Sequence, residues 1–226
     1  MTQAADMASE ALSGRISVAS NDPIFANDPS RPATVRRLLA SAVQALGDYG
    51  FEGTTTRQIC HGAGLSSGAL YVHFASKEQV LFEISTIGHS GALEAIRSAV
   101  ADKPDPTERL YSAVHAFVLF HAEHQTLARV IQYELRVLNS EHFSTVAAIR
   151  RDIDSVIRDS IQTGVTSGDF GCTDIGGAAL AIESLAIDVA RWFDPSRSSR
   201  TPDALARMYA QFALYIVQSG LSGTSR

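Results

Sequence analysis

Two helix-start signals that lie close together constrain the fold of this chain more than any other feature. Thr55 is followed three residues later by Gln58, and Ser76 is followed three residues later by Gln79. Both pairs have the spacing of a capping box, in which the first side chain and the backbone cap each other reciprocally at a helix N-terminus. One helix should therefore begin just after Thr55 and another just after Ser76, with little chain left between them.

The residues around these signals complete a compact helical unit. A first helix is predicted from Ala33 to Gly50, because apolar residues recur there at intervals of three and four: Val35, Leu38, Leu39, Ala42, Val43 and Leu46. Gly64 predicts a turn, and Ser66 can then cap a short third helix that runs to about Phe74. A long fourth helix is predicted over 76–101.

The remainder of the sequence also has helical periodicity, and no segment alternates with the period of a β-strand. After the breaker Lys103-Pro104-Asp105-Pro106, the predicted helices cover 107–123, 126–139, 141–167, 174–194 and 202–219. The predicted fold class is all-α, with about nine helices. The predicted divisions are a disordered tail over 1–32, a head over 33–78 with its helix-turn-helix motif at 55–74, and a larger helical domain over 79–226.

Charge is distributed unevenly along the chain. The net charge is −5, yet residues 1–30 carry −3, residues 31–80 carry +2 and residues 81–226 carry −4. The positive part is the one that contains the two capping boxes. The small excess permits contact with a polyanion without proving it.

Two further features bear on the compartment. No stretch approaches the roughly eighteen apolar residues of a membrane-spanning helix, and the first thirty residues lack the apolar core of a signal peptide. Cys60 and Cys172 have no metal or redox spacing, and we expect reduced packing thiols, although a disulfide between them stays open. We expect a cytoplasmic protein with no membrane partner, no cofactor and no metal.

The segment from Thr55 to Lys77 divides into an inner and an outer set of side chains. The inner set, predicted to hold the two motif helices together, is Ile59, Ala63, Leu65, Leu70 and Phe74. The outer set on the third helix is Ser66, Ser67, Gly68, Tyr71, Val72 and His73. Small residues let a helix N-terminus approach a phosphate closely. Tyr71, His73 and Lys77 can donate to phosphate oxygens, and Val72 can contact a thymine methyl group.

The run from Gly50 to Glu78 resembles the DNA-binding domain of the TetR family nearly position for position. The matching pattern is G-F-x-x-T-T-x-R-x-I-x-x-x-A-G-L-S-x-G-A-L-Y-x-H-F-x-S-K-E. The resemblance implies a third helix in the major groove of operator DNA and backbone contacts from Tyr71, His73 and Lys77. It also implies phosphate contacts from the start of the second helix, at Thr55, Thr56 and Arg57. Such short motifs also occur in proteins that never bind DNA.

The sequence departs from the family pattern at four positions. Ser67 and Gly62 lie where basic or bulkier residues are common, which should lower the electrostatic share of DNA affinity. Thr56 and Cys60 replace commoner aliphatic and alanine residues. The operator sequence therefore cannot be transferred from any relative.

The last two predicted helices, 174–194 and 202–219, are apolar on more than one face, so each needs a second partner. The apolar residues are Ala178, Ala179, Ile182, Leu185, Ala186, Ile187, Val189, Trp192, Phe193, Leu205, Met208, Tyr209, Phe212, Leu214, Tyr215, Ile216 and Val217. The resemblance implies a homodimer through these two helices, which would present two heads to a pseudo-palindromic operator. Full burial of both helices within one monomer is the alternative.

The helices at 107–123 and 126–139 combine aromatic and polar residues in the way a small-molecule cavity requires. The candidate ligand residues are Phe117, Phe120, His121, Tyr133, Arg136 and Trp192, although the same residues could simply form core. The stretches Tyr133-Glu134-Leu135-Arg136 and Ala190-Arg191-Trp192-Phe193-Asp194-Pro195 resemble a TetR subgroup of actinobacterial lipid and steroid catabolism regulators. Some of these respond to acyl-CoA thioesters, which implies a hydrophobic or CoA-linked effector.

Two other classes of function fit the sequence less well. All-helical enzymes often carry metals, and the sequence has no Glu-x-x-His pair and no His-Glu-x-x-His. His121 and His124 share a helical face, but no third metal ligand accompanies them. A helical interaction protein without DNA binding is disfavoured by the residues from 55 to 77. We expect a ligand-responsive DNA-binding regulator, specifically a repressor released from its operator by a small effector.

Overall fold

The computed structural model describes residues 22–26 and 28–218, and within that part of the chain it is helical with no β-strand. The α-helices of these described residues are nine in number: α1 Pro23–Ala26, α2 Ala33–Gly53, α3 Thr56–Gly62, α4 Lys77–Val100, α5 Pro106–Glu123, α6 Gln125–Tyr133, α7 Ser140–Ser167, α8 Ile175–Trp192 and α9 Pro202–Gln218. Two 3-10 helices cover Ala69–Val72 and Leu135–Val137. The prediction of an all-α fold of about nine helices is confirmed.

The helix-start signals act as their spacing predicts. The Thr55 hydroxyl accepts from the Gln58 backbone N–H at 3.2 Å, and the Thr55 N–H donates to the Gln58 side chain at 2.7 Å. Ser76 likewise caps α4 by accepting from the Gln79 N–H at 3.0 Å. The Gln79 side chain, however, accepts from the N–H of Ala75, one residue earlier than in a full capping box.

The third helix is shorter and tighter than predicted. The span expected from Ser66 to Phe74 contains only the 3-10 helix Ala69–Val72, and the Ser66 side chain makes no capping bond. Instead the Ser66 carbonyl accepts from the Ala69 N–H at 2.9 Å, within a turn. A run this short forms few i to i−4 bonds, and 3-10 geometry is common in such pieces.

The expected disordered tail over 1–32 needs correction at its C-terminal end, while residues 1–21 lie outside the described part. Helix α1 packs against α2, and Phe25 is only 2% exposed. Asp22 lies 2.7 Å from the His124 imidazole at the junction of α5 and α6. Disorder was predicted from the polar composition of this segment, but the segment also contains the short apolar pair Ile24-Phe25. Burial of this pair offsets the entropy lost when the segment is ordered.

Two hydrophobic clusters organise the described residues. The head cluster is built from α1, α2, α3, the first turns of α4 and part of α6. The second cluster is built from the rest of α4 with α5, α7, α8 and α9. Helix α4 belongs to both, with Ile84 buried in the head cluster and Ala92 in the other. Packing therefore crosses the boundary at residue 78, which remains a sequence-based division.

Candidate DNA interface and ligand cavity

The outer set of head residues projects from the protein surface. Tyr71 is 59% exposed and Val72 78% exposed. Thr55, Arg57, Ser66, Ser67, Gly68 and His73 are also exposed, and Thr56 is half-buried. The Thr56 hydroxyl lies 3.4 Å from the Tyr71 hydroxyl, so α3 and the 3-10 helix meet at this face. The Thr55 hydroxyl is already bonded to Gln58, while the exposed side chains around it face solvent. Their role at DNA stays a prediction.

The inner set of the head is packed as expected. Ile59, Ala63, Leu70 and Phe74 are buried, and Leu65 is half-buried. Cys60 is a free, buried thiol whose Sγ lies 3.5 Å from the Ser67 carbonyl oxygen. The cysteine at this position therefore ties α3 to the turn that presents Ser67.

Lys77 has a different environment from the one expected for a phosphate contact. Its ammonium group donates to the carbonyl oxygens of Phe51 and Thr54, the latter at 2.6 Å, and lies 4.1 Å from the centre of the Phe51 ring. These carbonyls become available because the backbone leaves helical geometry at Gly50, where φ is 67°. Lys77 thus holds the end of α2 to the start of α4, and at most one N–H is left for DNA.

The absence of a side chain at position 62 has a packing cause. A Cβ at Gly62 would lie 2.4 Å from the Ser41 hydroxyl oxygen, which donates to the Ile59 carbonyl at 2.8 Å. Ser41 is buried on α2 and cannot turn away without losing this bond. The loss of the common basic residue at position 62 is therefore linked to the serine at position 41.

A cavity with about 360 Å³ of empty space, its open mouth included, lies among α4, α5, α6, α7 and α8. Its lining residues are His89, Ala92, Phe117, Phe120, His121, Ile131, Gln132, Arg150, Ile153, Glu183 and Ile187. The candidates Phe117, Phe120 and His121 line this cavity. Tyr133, Arg136 and Trp192 do not: all three are exposed. Arg136 lies in the 3-10 helix after α6, because the helix predicted over 126–139 already ends at Tyr133.

Four polar lining residues are absent from the sequence-based predictions: His89, Gln132, Arg150 and Glu183. Each lies on a different helix, and no local motif joins them. The one available signal was the presence of polar residues on otherwise apolar helix faces. Polar residues interrupt such faces at many positions of this chain, so the signal could not single out these four.

The two histidines of the cavity are neutral. Nδ1 of His89 lies 2.8 Å from the Ser85 carbonyl oxygen, and Nδ1 of His121 lies 2.8 Å from the Phe117 carbonyl oxygen. Burial lowers the pKa of each imidazole to about 4. Because a carbonyl only accepts, Nδ1 carries the proton in both rings, and each Nε2 is an acceptor.

Arg150 and Glu183 are ionisable residues that line the cavity. The Arg150 guanidinium donates to the Gln132 side-chain oxygen at 2.7 Å and lies 3.4 Å from Nε2 of His89. Burial raises the pKa of Glu183 to about 7, and the neighbouring Asp154 carboxyl contributes to this rise. Oε1 of Glu183 is buried and has no hydrogen-bond partner.

A second, more open groove adjoins the cavity on the outside and forms what we term the outer groove. It contains about 810 Å³ of empty space, open solvent included, and is lined by Leu135, Phe143, Val146, Ala147, Arg150, Arg151, Asp154 and Glu183. Arg150 and Glu183 line both spaces. They therefore stand at the junction between a mostly apolar interior and a groove with further charge from Arg151.

Large apolar side chains remain exposed on α8 and α9. Leu180 is 65% exposed and Tyr215 56% exposed, and Leu185, Trp192 and Phe212 are each more than 40% exposed. The opposite faces of both helices are buried in the second hydrophobic cluster. The alternative in which both helices are fully buried within one chain is thus wrong for these side chains, and an apolar surface is left for a partner.

Residues 22–26 and 28–218 also bear on two other classes of site. Among them, no group of three or more His, Cys, Asp or Glu residues is arranged to hold a metal ion. Over the same residues, no helix is long and apolar enough to span a membrane.

Comparison with known proteins places both halves of the chain. The family model described as "Bacterial regulatory proteins, tetR family" matches residues 38–84, and "Tetracyclin repressor-like, C-terminal domain" matches residues 103–217. The HTH-type transcriptional repressor KstR2 of Rhodococcus jostii is 29% identical over 188 residues, which cover 82% of this chain and 89% of the repressor.

Solved structures give the same result. A bacterial regulatory protein of the tetR family from Rhodococcus RHA1 superposes with a TM-score of 0.79 at 42% identity, covering 83% of this chain and 98% of that one. AibR in complex with isovaleryl coenzyme A and operator DNA has a TM-score of 0.72 at 23% identity, covering 79% and 97%, and so shares the fold. The chain belongs to the TetR family of bacterial transcriptional regulators.

Proposed function

We propose that this protein is a cytoplasmic, ligand-responsive repressor that binds operator DNA through the head and a small effector in the cavity. The observation that carries the DNA half is the exposed face built from Thr55, Arg57, Tyr71, Val72 and His73. This face supplies hydrogen-bond donors for phosphate oxygens and, at Val72, one apolar contact for a base. The named repressor activity of the R. jostii relative supports the direction of regulation.

Homodimerisation through α8 and α9 is part of the proposal. The exposed side chains Leu180, Leu185, Phe212 and Tyr215 need a partner, and a second copy covers them symmetrically. A two-fold dimer presents two heads to a pseudo-palindromic operator. Glutamate at both Leu180 and Phe212 should give monomers in analytical ultracentrifugation and greatly weakened operator binding. A dimer that persists in this variant would show that the interface lies elsewhere.

Coupling between the two sites is proposed to run through α4. Its first turns contribute Val80, Leu81 and Ile84 to the head cluster, and two turns later His89 and Ala92 line the cavity. An effector that fits one position of α4 better than another therefore changes the placement of the head. The effector class that suits the cavity is a mostly apolar small molecule, either purely hydrophobic or acyl-CoA-like.

The test uses the full chain and makes no assumption about the operator. Duplexes selected from a random pool should converge on a pseudo-palindrome, and a thermal-shift screen of apolar small molecules should yield compounds that release it. Tyr71→Ala serves as the matched control for binding through the exposed face of the head. If no sequence is enriched over the pool, the proposed function is wrong. Enrichment without release by any bound compound would leave a DNA-binding protein and remove the sensor.

A further inference from the structure

We propose that Glu78, Asn139 and His142 form a clamp that fixes the head relative to α7 and thereby sets the half-site spacing that the dimer accepts in its operator. All three act as positioning residues, through the placement of the head. This inference rests on the proposed repressor function and its dimer, and it adds a determinant of operator specificity.

The clamp joins the first turn of α4 to the first turn of α7. Oε1 of Glu78 accepts from the Asn139 backbone N–H at 3.0 Å and lies 2.8 Å from Nδ1 of His142. The His142 ring also stacks on Phe82, with the ring centres 3.9 Å apart and the planes 7° from parallel. The side chains of Glu78 and His142 are only 22% and 24% exposed. The contact is therefore better ordered than an ion pair on an open surface, which contributes little.

The start of α7 is a firm support for this contact. The Asn139 side-chain oxygen caps the helix by accepting from the N–H groups of Glu141 at 3.0 Å and His142 at 2.9 Å. Val146, one turn further on, is buried in the head cluster. Further along the same helix, Ile153 is buried in the second cluster, which also holds α8 and α9. Helix α7 therefore connects the head to the helices proposed to form the dimer.

The same helix also connects the clamp to the cavity. Arg150, which lines the cavity, lies 3.4 Å from Nε2 of His89 on α4. Continuous helix of about 12 Å separates Arg150 from His142. Helices α4 and α7 thus contact each other both at the cavity and at the head, and a shift of α7 at Arg150 is carried to Glu78.

The clamp bears directly on the placement of the head. Lys77, at the start of α4, holds the end of α2 through the Thr54 carbonyl at 2.6 Å, so the head moves with the first turn of α4. Glu78 is the next residue, and its contact with α7 therefore restrains the head end of α4 from swinging. Arg129 on α6 gives a separate restraint by donating to the Gly47 carbonyl at 3.0 Å. Loss of the clamp should loosen the head without detaching it.

Operator spacing gives a readout that a purely structural role would not change. One base pair inserted between the half-sites separates them by about 3.4 Å and rotates one against the other by about 35°. The operator selected from a random pool is resynthesised with one base pair added or removed at its centre, and anisotropy at one fixed salt concentration gives each affinity. We expect wild type to bind the altered duplexes about tenfold more weakly, or worse. His142→Phe, which keeps the ring stack, and Glu78→Met should each reduce this difference to about threefold or less.

Two matched variants separate the clamp from the general loss of a side chain. Glu78→Gln keeps the acceptor oxygen and should retain the wild-type spacing preference within about twofold. His115 and Asp203 form a similar pair, 3.0 Å apart, between α5 and α9, and the His115 side chain is also 24% exposed. His115→Phe should leave the spacing preference unchanged, because α5 and α9 belong to the second cluster.

Hydrogen exchange of the full-length protein without DNA tests the clamp itself. The Asn139 N–H is protected by its bond to Glu78, so Glu78→Met should speed its exchange by about fivefold or more. His142→Phe should speed exchange in the first turns of α4 and α7, whereas His115→Phe should not. Since His142→Phe and Glu78→Met break the same contact from opposite sides, misfolding of one variant leaves the other to decide.

The outcomes separate this inference from the proposed function. Unchanged exchange at Asn139 in Glu78→Met would show that the clamp does not form in solution. Faster exchange with an unchanged spacing preference would show that the clamp does not place the head. Either result would make the inference wrong and leave the repressor intact, as would a wild type that tolerates the altered spacings. If no operator is selected, the proposed function fails, and the role of the clamp in spacing fails with it.

Discussion

The head and the cavity are built in opposite ways. Every side chain of the candidate DNA interface comes from one short stretch of sequence, and nearly all of it is exposed. The lining of the cavity comes from five helices spread over about a hundred residues of chain, and its polar groups are buried or half-buried. A surface that binds DNA can be formed by one short segment of sequence. A site that encloses a small molecule has to be assembled from distant segments by tertiary packing. Changes confined to one region therefore test whether the other depends on it.

The largest effect is expected from removing the exposed donors of the head. Tyr71→Ala combined with His73→Ala should weaken operator binding on the order of a hundredfold, since each hydrogen bond to a charged group contributes about 1.5–3 kcal/mol. The loss should be similar for all DNA sequences because phosphates carry no base identity. Fluorescence anisotropy measures the operator affinity, and thermal shift with a bound effector measures the cavity. Unchanged operator binding would mean that this face does not contact DNA.

The buried histidines of the cavity should make the stability of the protein sensitive to acid. Burial lowers the pKa of His89 and His121 to about 4, whereas histidines in the unfolded chain have a pKa near 6.5. Between these two pH values the unfolded chain therefore binds more protons than the folded protein. Their contribution to stability is complete above pH 6.5 and is lost as the pH falls towards 4, by on the order of 2 kcal/mol for each histidine at pH 5. Urea unfolding at pH 7 and pH 5 should show this loss, and His121→Asn should reduce it.

The effect of Glu183 on the pH dependence of stability is opposite to that of the histidines. Glu183 therefore provides an internal control for the urea experiment. Its raised pKa of about 7 means that the folded protein holds a proton more tightly than the unfolded chain does. Stability therefore falls as the pH rises from about 4.5 to 7, and this partly offsets the effect of the histidines. Glu183→Gln should make the net loss between pH 7 and pH 5 steeper. If this variant loses the same stability as wild type or less between pH 7 and pH 5, the raised pKa of Glu183 is contradicted.

Lys77 distinguishes a phosphate contact from a structural one. With its ammonium held by the carbonyls of Phe51 and Thr54, Lys77→Met should lower the free energy of unfolding by about 1–3 kcal/mol. The salt dependence of operator binding should stay nearly unchanged. Removing a residue that contacts phosphate would instead reduce the slope of log affinity against log salt concentration by about 0.9, with little loss of stability.

The smallest effect is expected from restoring a basic residue at position 62. Gly62→Arg alone should destabilise the head, because its Cβ collides with the Ser41 hydroxyl. In the double variant with Ser41→Ala the nearest atom of residue 41 is its Cβ, at 3.5 Å, which is ordinary contact. That variant should bind operator a few times more tightly at low salt and steepen the salt slope by up to about 0.9. A single variant as stable as wild type would remove the link between the two positions.

Features that depend on neighbouring residues could be predicted from sequence, and features that depend on distant residues could not. The capping residues Thr55 and Ser76 were identified because the bond that each makes lies within three residues of it. The carbonyl partners of Lys77 could not be predicted, because they depend on the backbone leaving the helix at Gly50, more than twenty residues away. Periodicity placed Phe117 and His121 on an inward face. It could not distinguish a cavity from a filled core, because both need the same apolar pattern.

The polar groups of the cavity were beyond sequence reasoning for a physical reason. Arg150 lies on the long amphipathic helix α7 among other charged residues, and only the packing of α4, α6 and α8 against it turns this one arginine inward. Trp192 illustrates the converse, since an aromatic residue on an apolar helix is expected inside and is instead exposed on α8. When a helix has two apolar faces, its sequence does not indicate which face is buried within the chain and which is exposed.

The head and the cavity are proposed to be two halves of one switch, and a single pair of titrations tests that coupling. The operator affinity of wild type and of Arg150→Met is measured while each is titrated with the compound that gives the largest thermal shift. We expect the effector to weaken operator binding at least tenfold in wild type. Arg150→Met should bind the operator equally well without effector and respond only at much higher effector concentrations. An effector that saturates the cavity and leaves the operator affinity unchanged would show that no such switch exists.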